Sequence, residues 1–229
     1  MTFVSSRRAQ GGGCIFRALA IVFVFAVQSH AQPEPSDLPL LDVDDLQYVG
    51  AFRLPATTYG SSSLNYSEGP IAFNPSNQSI LIVGHSHHQE IAEFEIPGLV
   101  NSADLGDLNM SGEPLQVFSS VLDRAPGGNP QDLNRIGGMA VIASQSGLRL
   151  VVNAYEYYDA PADNTQTTLV VDNPDSVAAA AVGGFYTFQG GAGHTSGWIS
   201  PIPPEWQDSL GGTYLSLIHI SEPTRLRRI

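Results

Sequence analysis

The chain has 229 residues, and its 22 acidic against 10 basic side chains give it a formal charge of −12. A protein this acidic repels phosphate backbones, which argues against nucleic acid as a partner. The single cysteine is Cys14, so apolar burial rather than disulfide bonding must stabilise the fold, and the length allows a sizeable core.

Residues 1–31 have the organisation of a secretory signal peptide. Three arginines precede a ten-residue apolar stretch, 18–27, and small residues at 29 and 31 precede a cleavage point before Gln32. The apolar stretch is half as long as the ~20 residues that a membrane span needs. We therefore expect an exported protein, secreted or periplasmic, with no membrane span in its mature part.

The mature chain opens with a flexible lead-in and continues with short predicted strands. Residues 32–45 are rich in proline and aspartate, which favours disorder over packing. The first predicted strand, 46–54, ends at Pro55. A loop rich in serine, threonine and glycine then leads to residue 69, where the dominant pattern of the sequence begins.

That pattern is an internal repeat. The segment 69–85 returns without a gap as 137–153, 68 residues later, and each copy predicts a strand, a polar turn and a second strand. Each hairpin is preceded by a leading strand (46–54, 115–122) and followed by a closing strand (91–96, 167–171). In 91–96 acidic and apolar residues alternate, which predicts that one face of this strand is wet.

Repeated four-stranded units predict an all-β, β-propeller-like fold. The second strand of each hairpin is apolar on both faces, which is typical of a strand between two layers. Units stacked around an axis would bury those faces, although a β-sandwich or a two-sheet solenoid is an alternative. Residues 185–188, a short helical turn at 204–210 and a glycine-rich start of a hairpin at 211–213 indicate a third unit. The chain would then hold about two and a half units.

The last fifteen residues, 215–229, differ abruptly from what precedes them. They read LSLIHISEPTRLRRI and carry three of the ten basic side chains. This peptide resembles the translation of a sequencing adapter that was read through in frame. The resemblance implies that 46–214 is an incomplete domain and that no site includes the tail. A natural basic tail that binds an acidic surface is the alternative interpretation.

A cluster of three histidines follows the first hairpin and is the leading candidate for a site. In the gapless register His85 corresponds to Asn153 and His88 to Glu156, which predicts that both pairs lie on one rim of the sheets. Imidazole nitrogens of His85, His87 and His88 could ligate a metal. A strand-like backbone, however, would point His87 and His88 to opposite faces. Ligand binding, a catalytic role and a solvated polar turn are the other interpretations, and no cofactor is identified.

Two further clusters contain aromatic and ionisable side chains. Glu156, Tyr157 and Asp159 follow the second hairpin; aromatic faces pack on sugar rings, and two carboxylates at a defined separation could cleave a glycosidic bond. Packing of these tyrosines on a neighbouring unit is the structural alternative. His194 and Trp198 lie in a glycine-rich loop that lacks the pattern of a nucleophile elbow.

Four segments of the mature chain carry a family resemblance: LQYVGAFRLP, IAFNPSNQSILIVGH, IAEFEIP and GWISPIPPEWQ. Through them the chain resembles exported bacterial propeller-like proteins of no assigned function, which implies a fold and a compartment but no catalytic residues. The predicted function is binding of a glycan or another extracellular ligand. A carbohydrate-active or other hydrolytic enzyme with a site on the rim, and a purely structural surface protein, are the alternatives.

Overall fold

The computed structural model describes residues 38–158, 163–187 and 197–216. Within these ranges the chain is mostly β-structure, with one short α-helix and a few 3-10 turns. No helix in the described ranges has the length and apolar character needed to cross a membrane.

Two four-stranded antiparallel sheets make up most of the described chain, and in both each strand pairs with its neighbour in sequence. Sheet 1 consists of β1 (Ile71–Asn74), β2 (Ser79–Val83), β3 (Ile91–Glu95) and β4 (Gln116–Ser119). Sheet 2 consists of β5 (Arg135–Ser144), β6 (Gly147–Tyr155), β7 (Gln166–Val171) and β8 (Val182–Thr187). A separate antiparallel pair is formed by β9 (Ile199–Pro201) and β10 (Tyr214–Ser216), with the helix α1 (Pro204–Leu210) between them.

Both predicted hairpins are present, as β1–β2 and β5–β6, and each opens a four-stranded sheet. Their turns differ in length. Asn74 pairs with Ser79 around four loop residues, whereas Ser144 pairs with Gly147 around two. The tighter turn is possible because Gly147 adopts a φ of 113°, which favours glycine.

The shorter turn changes the register of the second hairpin. In the gapless alignment Met139 would face Leu150, just as Ile71 faces Ile82, but it faces Val152. The predicted register of the second strand is therefore wrong by two residues. A turn of a different length shifts every pair beyond it, and the sequence similarity of the apolar residues does not reveal this shift.

The fourth strand of each sheet is not the predicted leading strand. Residues 46–54 make only isolated bridges to the loop after β3, through Ala51 and Arg53. Strand β4, from the segment 115–122, closes sheet 1 instead of leading sheet 2. Likewise β8 closes sheet 2 instead of opening a third unit. Each of these strands pairs with the strand before it in sequence and not with the one after it.

The two sheets pack face to face around one apolar core. Sheet 1 contributes Leu81, Val83 and Ile91, and sheet 2 contributes residues of all four of its strands, among them Leu150 and Leu169. The other face of sheet 1 is also apolar, and residues from the segment 54–64 cover part of it. As predicted for the second strand of the hairpin, β2 is enclosed between two layers.

The sheets stack in the same sense, the front of one against the back of the next. In sheet 1, Ile80 and Ile82 point away from sheet 2, whereas the corresponding Leu150 and Val152 of sheet 2 point toward sheet 1. The first strands also lie side by side, β1 beside β5 and β5 beside β9.

The β9–β10 pair lies beside sheet 2, with β9 against β5. A Cβ atom on Gly138 would lie 1.9 Å from the carbonyl oxygen of Gly197, so glycine is required for this close approach to the segment that leads into β9. The side-chain amide of Asn153 donates hydrogen bonds to Gly197 O at 3.1 Å and to the Ser216 hydroxyl at 2.8 Å. The predicted helical turn at 204–210 is confirmed as α1. Residues 211–213 lead into β10, the second strand of this pair, and not into its first strand.

The predicted wet face of the third strand is wrong. Glu93 of β3 points between the sheets and has no exposed surface. Its carboxylate accepts hydrogen bonds from the side chains of Asn74, Asn77, Ser79 and Gln116. Alternation of acidic and apolar residues usually marks a solvated face, but here amide and hydroxyl donors on neighbouring strands replace the water.

Candidate functional site

The segment 85–90, which we call the histidine turn, follows β2 and brings three imidazoles together. The backbone N–H groups of His88 and Gln89 both donate to His85 O, at 2.8 and 3.1 Å, so the segment is a turn and not an extended strand. The rings of His87 and His88 both lie near the His85 ring, with centroids 5.4 and 4.9 Å from it. The expectation that His87 and His88 point to opposite faces does not apply to this backbone.

The imidazole rings of His87 and His88 are tilted relative to the His85 ring. Their planes are inclined by only 30° and 32° to that of His85. Nδ1 of His85 accepts a hydrogen bond from the His87 N–H at 3.1 Å, and Nδ1 of His88 lies 3.1 Å from the Ser62 hydroxyl. Within the described ranges, no group of three or more His, Cys, Asp or Glu side chains has an arrangement that could hold a metal ion.

Tyr66 covers one side of the histidine turn. Its ring meets the His85 ring edge to face, with a centroid distance of 5.7 Å, and its carbonyl accepts a hydrogen bond from the Ser86 N–H at 3.2 Å. The Tyr66 side chain is 81 % exposed. Its backbone has a φ of 54°, in the left-handed region that bulky residues rarely adopt. Such strain clusters at sites where surrounding contacts impose a required geometry.

Gln89 connects the histidine turn to sheet 2. Its Nε2 donates to Ser86 O at 2.8 Å, and its Oε1 accepts a hydrogen bond from the Ile136 N–H, at the start of β5, at 2.6 Å. The nitrogen and the oxygen of this buried amide are thus both hydrogen-bonded, one to the histidine turn and one to sheet 2. The two bonds place the start of β5 at the same end of the molecule as the histidine turn.

At that end of sheet 2 lie a cation and two exposed tyrosines. The Arg135 guanidinium lies 5.0 Å from the centroid of the Tyr157 ring, a cation–π contact, and the Tyr157 N–H donates to Asn134 Oδ1 at 3.0 Å. Tyr157 is 67 % exposed, and Tyr158 is exposed beside it. The Glu156 carboxylate accepts a hydrogen bond from Asn164 Nδ2 at 3.4 Å.

The Tyr155 hydroxyl, at the end of β6, is partly buried and has charged neighbours. Burial raises the pKa of the Tyr155 hydroxyl above its ordinary value of 10.0, and the negative charge of Glu68 and the Tyr157 hydroxyl act in the same direction. The positive charge of Arg135 opposes them. Glu68 precedes β1 and Tyr155 ends β6, so the segments that flank the two hairpins are near neighbours.

We call this region the histidine–tyrosine rim, defined by Tyr66, His85, His87, His88, Glu156, Tyr157 and Tyr158. It brings the histidine candidates and the Glu156–Tyr157 candidates to one end of the sheets. The predicted pairwise equivalence, however, is shifted by the two residues noted above. Trp198 is exposed beside β5, with its Cα 3.1 Å from the Cβ position of Gly138. Asp159 and His194 lie outside the described residues.

Three residues of this region were not predicted from the sequence. Tyr66 lies in a serine-rich loop without periodicity, and only its backbone strain distinguishes it. Gln89 is one more polar residue after three histidines, and its burial depends on contact with sheet 2. Arg135 offered a signal, because the chain has few basic residues and this one begins β5.

Comparison with protein-family models, with curated proteins and with solved structures found no match for this chain.

Proposed function

We propose that this chain is an exported, β-propeller-like binding protein that recognises a glycan at the histidine–tyrosine rim. Support for the propeller comes from the same-sense stacking of sheets 1 and 2 and from the neighbouring first strands β1, β5 and β9. In propellers, four-stranded blades stack in this way around an axis, with their first strands innermost. Support for export comes from the signal-like residues 1–31.

The observation that carries the glycan proposal is the set of exposed tyrosines beside the histidine turn. Exposed aromatic rings cost solvation free energy, and sugar rings cover such faces with C–H groups while their hydroxyls bond to polar neighbours. The imidazoles, the Glu156 carboxylate and the Arg135 guanidinium supply donors and acceptors within the same region. Tyr66, which precedes β1, and Tyr157, which follows β6, provide two separate exposed aromatic rings.

The charge of the chain narrows the class of glycan. With a formal charge of −12 and no lysine, the protein repels sulfated and uronate-rich polysaccharides. A neutral glycan avoids this repulsion. We therefore propose neutral oligosaccharides, of the glucan, xylan or mannan type, as the ligand class.

The test is calorimetric titration of the whole chain with a panel of neutral oligosaccharides, in the presence of a chelator. Replacing Tyr157 by alanine should weaken binding about 3- to 10-fold, the effect of one lost aromatic contact. Tyr48 is the matched control because it is similarly exposed, at 61 %, and belongs to the segment that bridges to the opposite end of sheet 1. Equal affinities for Tyr157→Ala and Tyr48→Ala, or no binding by the wild type, would contradict the proposal.

The same panel separates binding from hydrolysis. Incubated oligosaccharides should be recovered intact if the rim only binds them. Release of shorter products that is abolished by Glu156→Gln would instead establish the alternative, a glycan-cleaving enzyme in which Glu156 acts as an acid or base.

A further inference from the structure

We infer that Gln89 is a positioning residue that holds the two halves of the histidine–tyrosine rim in one frame, so that the ligand is an oligosaccharide long enough to contact both sheets. This inference rests on the proposed function and deepens it, because it specifies the length of the ligand and the residue on which that specificity depends.

The side-chain amide of Gln89 has one partner in each half. Nε2 bonds to Ser86 O, and Ser86 follows His85 directly in the histidine turn. Oε1 bonds to the Ile136 N–H, and Ile136 follows Arg135, whose guanidinium lies against the Tyr157 ring. One planar group therefore sets the distance from the histidine turn to the tyrosines of sheet 2.

The backbone of Gln89 is held in an unfavourable conformation to make these bonds. Its φ of 53° lies in the left-handed region, and the side chain is only 6 % exposed. A glutamine in this conformation persists only where surrounding interactions compensate for the strain. A glycine would satisfy the turn without strain but has no side chain to reach Ile136, so the side-chain bonds are what this position supplies.

Loss of Gln89 should loosen the rim without separating the sheets. The shared apolar core holds them together, and at their opposite end Asn74 donates to Asp175 of the β7–β8 connection as well as to Glu93. A Gln89 variant should therefore still fold, which makes its effect on ligand length measurable.

The experiment compares the affinities of the whole chain for a disaccharide and a hexasaccharide of whichever neutral glycan it binds. For the wild type we expect the hexasaccharide to bind at least tenfold more tightly. Gln89→Met removes both bonds, and we expect it to lose most of this gain while disaccharide affinity stays within twofold. Gln89→Glu keeps the acceptor for Ile136 and loses the donor for Ser86, so an intermediate gain is expected.

Gln78→Met is the matched control. Gln78 also has a positive φ, 51°, but it is exposed in the β1–β2 turn at the other end of sheet 1. Its replacement should leave the ratio of the two affinities unchanged. If Gln89→Met lowers both affinities by the same factor, their ratio is unchanged and the role of Gln89 is merely structural. Either this result or unchanged affinities for both ligands would overturn the inference.

A second measurement tests the positioning role without any glycan. Cys14 is the sole cysteine, so after Cys14→Ser spin labels can be placed at His87→Cys and Tyr158→Cys, one on each half of the rim. We expect a narrow distribution of distances between the labels that broadens with Gln89→Met and stays narrow with Gln78→Met. An unchanged distribution would overturn the positioning role. Broadening in a protein whose wild type binds no glycan would refute the proposed function and the inferred ligand length but would leave the positioning role standing.

Discussion

Glu93 and Asp175, from different sheets, accept hydrogen bonds from the same amide nitrogen, Nδ2 of Asn74, at 2.8 Å each. An amide nitrogen carries two hydrogens, so one side chain can satisfy both carboxylates at once. The Asn77 amide repeats the pattern at 3.0 and 3.4 Å. The carboxylates of Glu93 and Asp175 are thus both bound by neutral amide donors at the junction of the sheets. Among the described residues, no cationic side chain makes a hydrogen bond to either carboxylate.

Gln116 extends this network to the backbone of sheet 2. Its Nε2 donates to Glu93 and to Pro174 O, and its Oε1 accepts a hydrogen bond from the Val177 N–H at 2.6 Å. The hydroxyl of Ser79 is a further donor to Glu93. Glu93 is therefore the acceptor on which donors from β1, β2, β4 and the first turn converge.

Replacing Glu93 by alanine should destabilise the fold by about 3 kcal/mol or more, because it leaves several buried donors without an acceptor. Glu95 provides the control, since it lies two residues along the same strand and is exposed. Its replacement by alanine should change the free energy of unfolding by less than about 0.5 kcal/mol. Urea denaturation measures both values, and similar values for the two variants would show that the network contributes little.

Stability should also fall in acid because of Glu93. Burial alone would raise the pKa of this carboxyl, but the hydrogen bonds from Gln116, Ser79, Asn77 and Asn74 outweigh it and lower the pKa below its ordinary value of 4.5. A carboxyl whose pKa is lower in the folded state stabilises the fold fully above its unfolded pKa. This contribution is lost as the pH falls through the folded pKa.

The unfolding free energy of the wild type should therefore drop more steeply between about pH 5 and pH 3 than that of Glu93→Gln, which has no charge to lose. Denaturation at constant ionic strength across this range gives both curves. Parallel curves would mean that other carboxylates account for the acid sensitivity.

Ile71 and Met139 occupy equivalent places in the two hairpins but differ in burial. Met139 is 3 % exposed because sheet 1 covers it, whereas Ile71 is 48 % exposed on the far face of sheet 1. Met139→Ala should cost about 2–4 kcal/mol of stability, and Ile71→Ala less than about 1 kcal/mol. A large cost for Ile71→Ala in urea denaturation would show that something covers this face in solution.

Gly138 should not tolerate a side chain. Alanine there would place Cβ 1.9 Å from the backbone oxygen of Gly197. Because the clashing atom belongs to the backbone, it cannot move aside as the end of a flexible side chain could. We expect a loss of about 1–3 kcal/mol and a change in the fluorescence of Trp198, which follows Gly197. Gly112→Ala serves as the comparison because no atom lies within 4 Å of its Cβ position. Identical fluorescence in the two variants would argue against the packing of β9 on β5.

Local pattern was sufficient to predict the hairpins, the helical turn at 204–210 and the position of the histidine turn after β2. These depend on alternation, turn residues and proline, which act within a few residues of one another. The grouping of strands into sheets was predicted wrongly by one strand, because each predicted leading strand belongs to the preceding sheet or to no sheet. Each strand has two potential neighbours, and the choice between them depends on pairing that the residues of the strand do not encode by themselves.

The amino-acid sequence by itself determined that this chain forms two antiparallel hairpins with apolar faces that other residues must cover, and that polar and aromatic residues follow each hairpin. Only the tertiary structure decided the roles of Glu93, Gln89 and Tyr66. A carboxylate that looks solvated is buried, a glutamine links two sheets and a tyrosine is held in a strained conformation, because their partners lie far away in sequence. Such partners are specified by how the sheets stack, which is a property of the whole assembly of strands and not of any one segment.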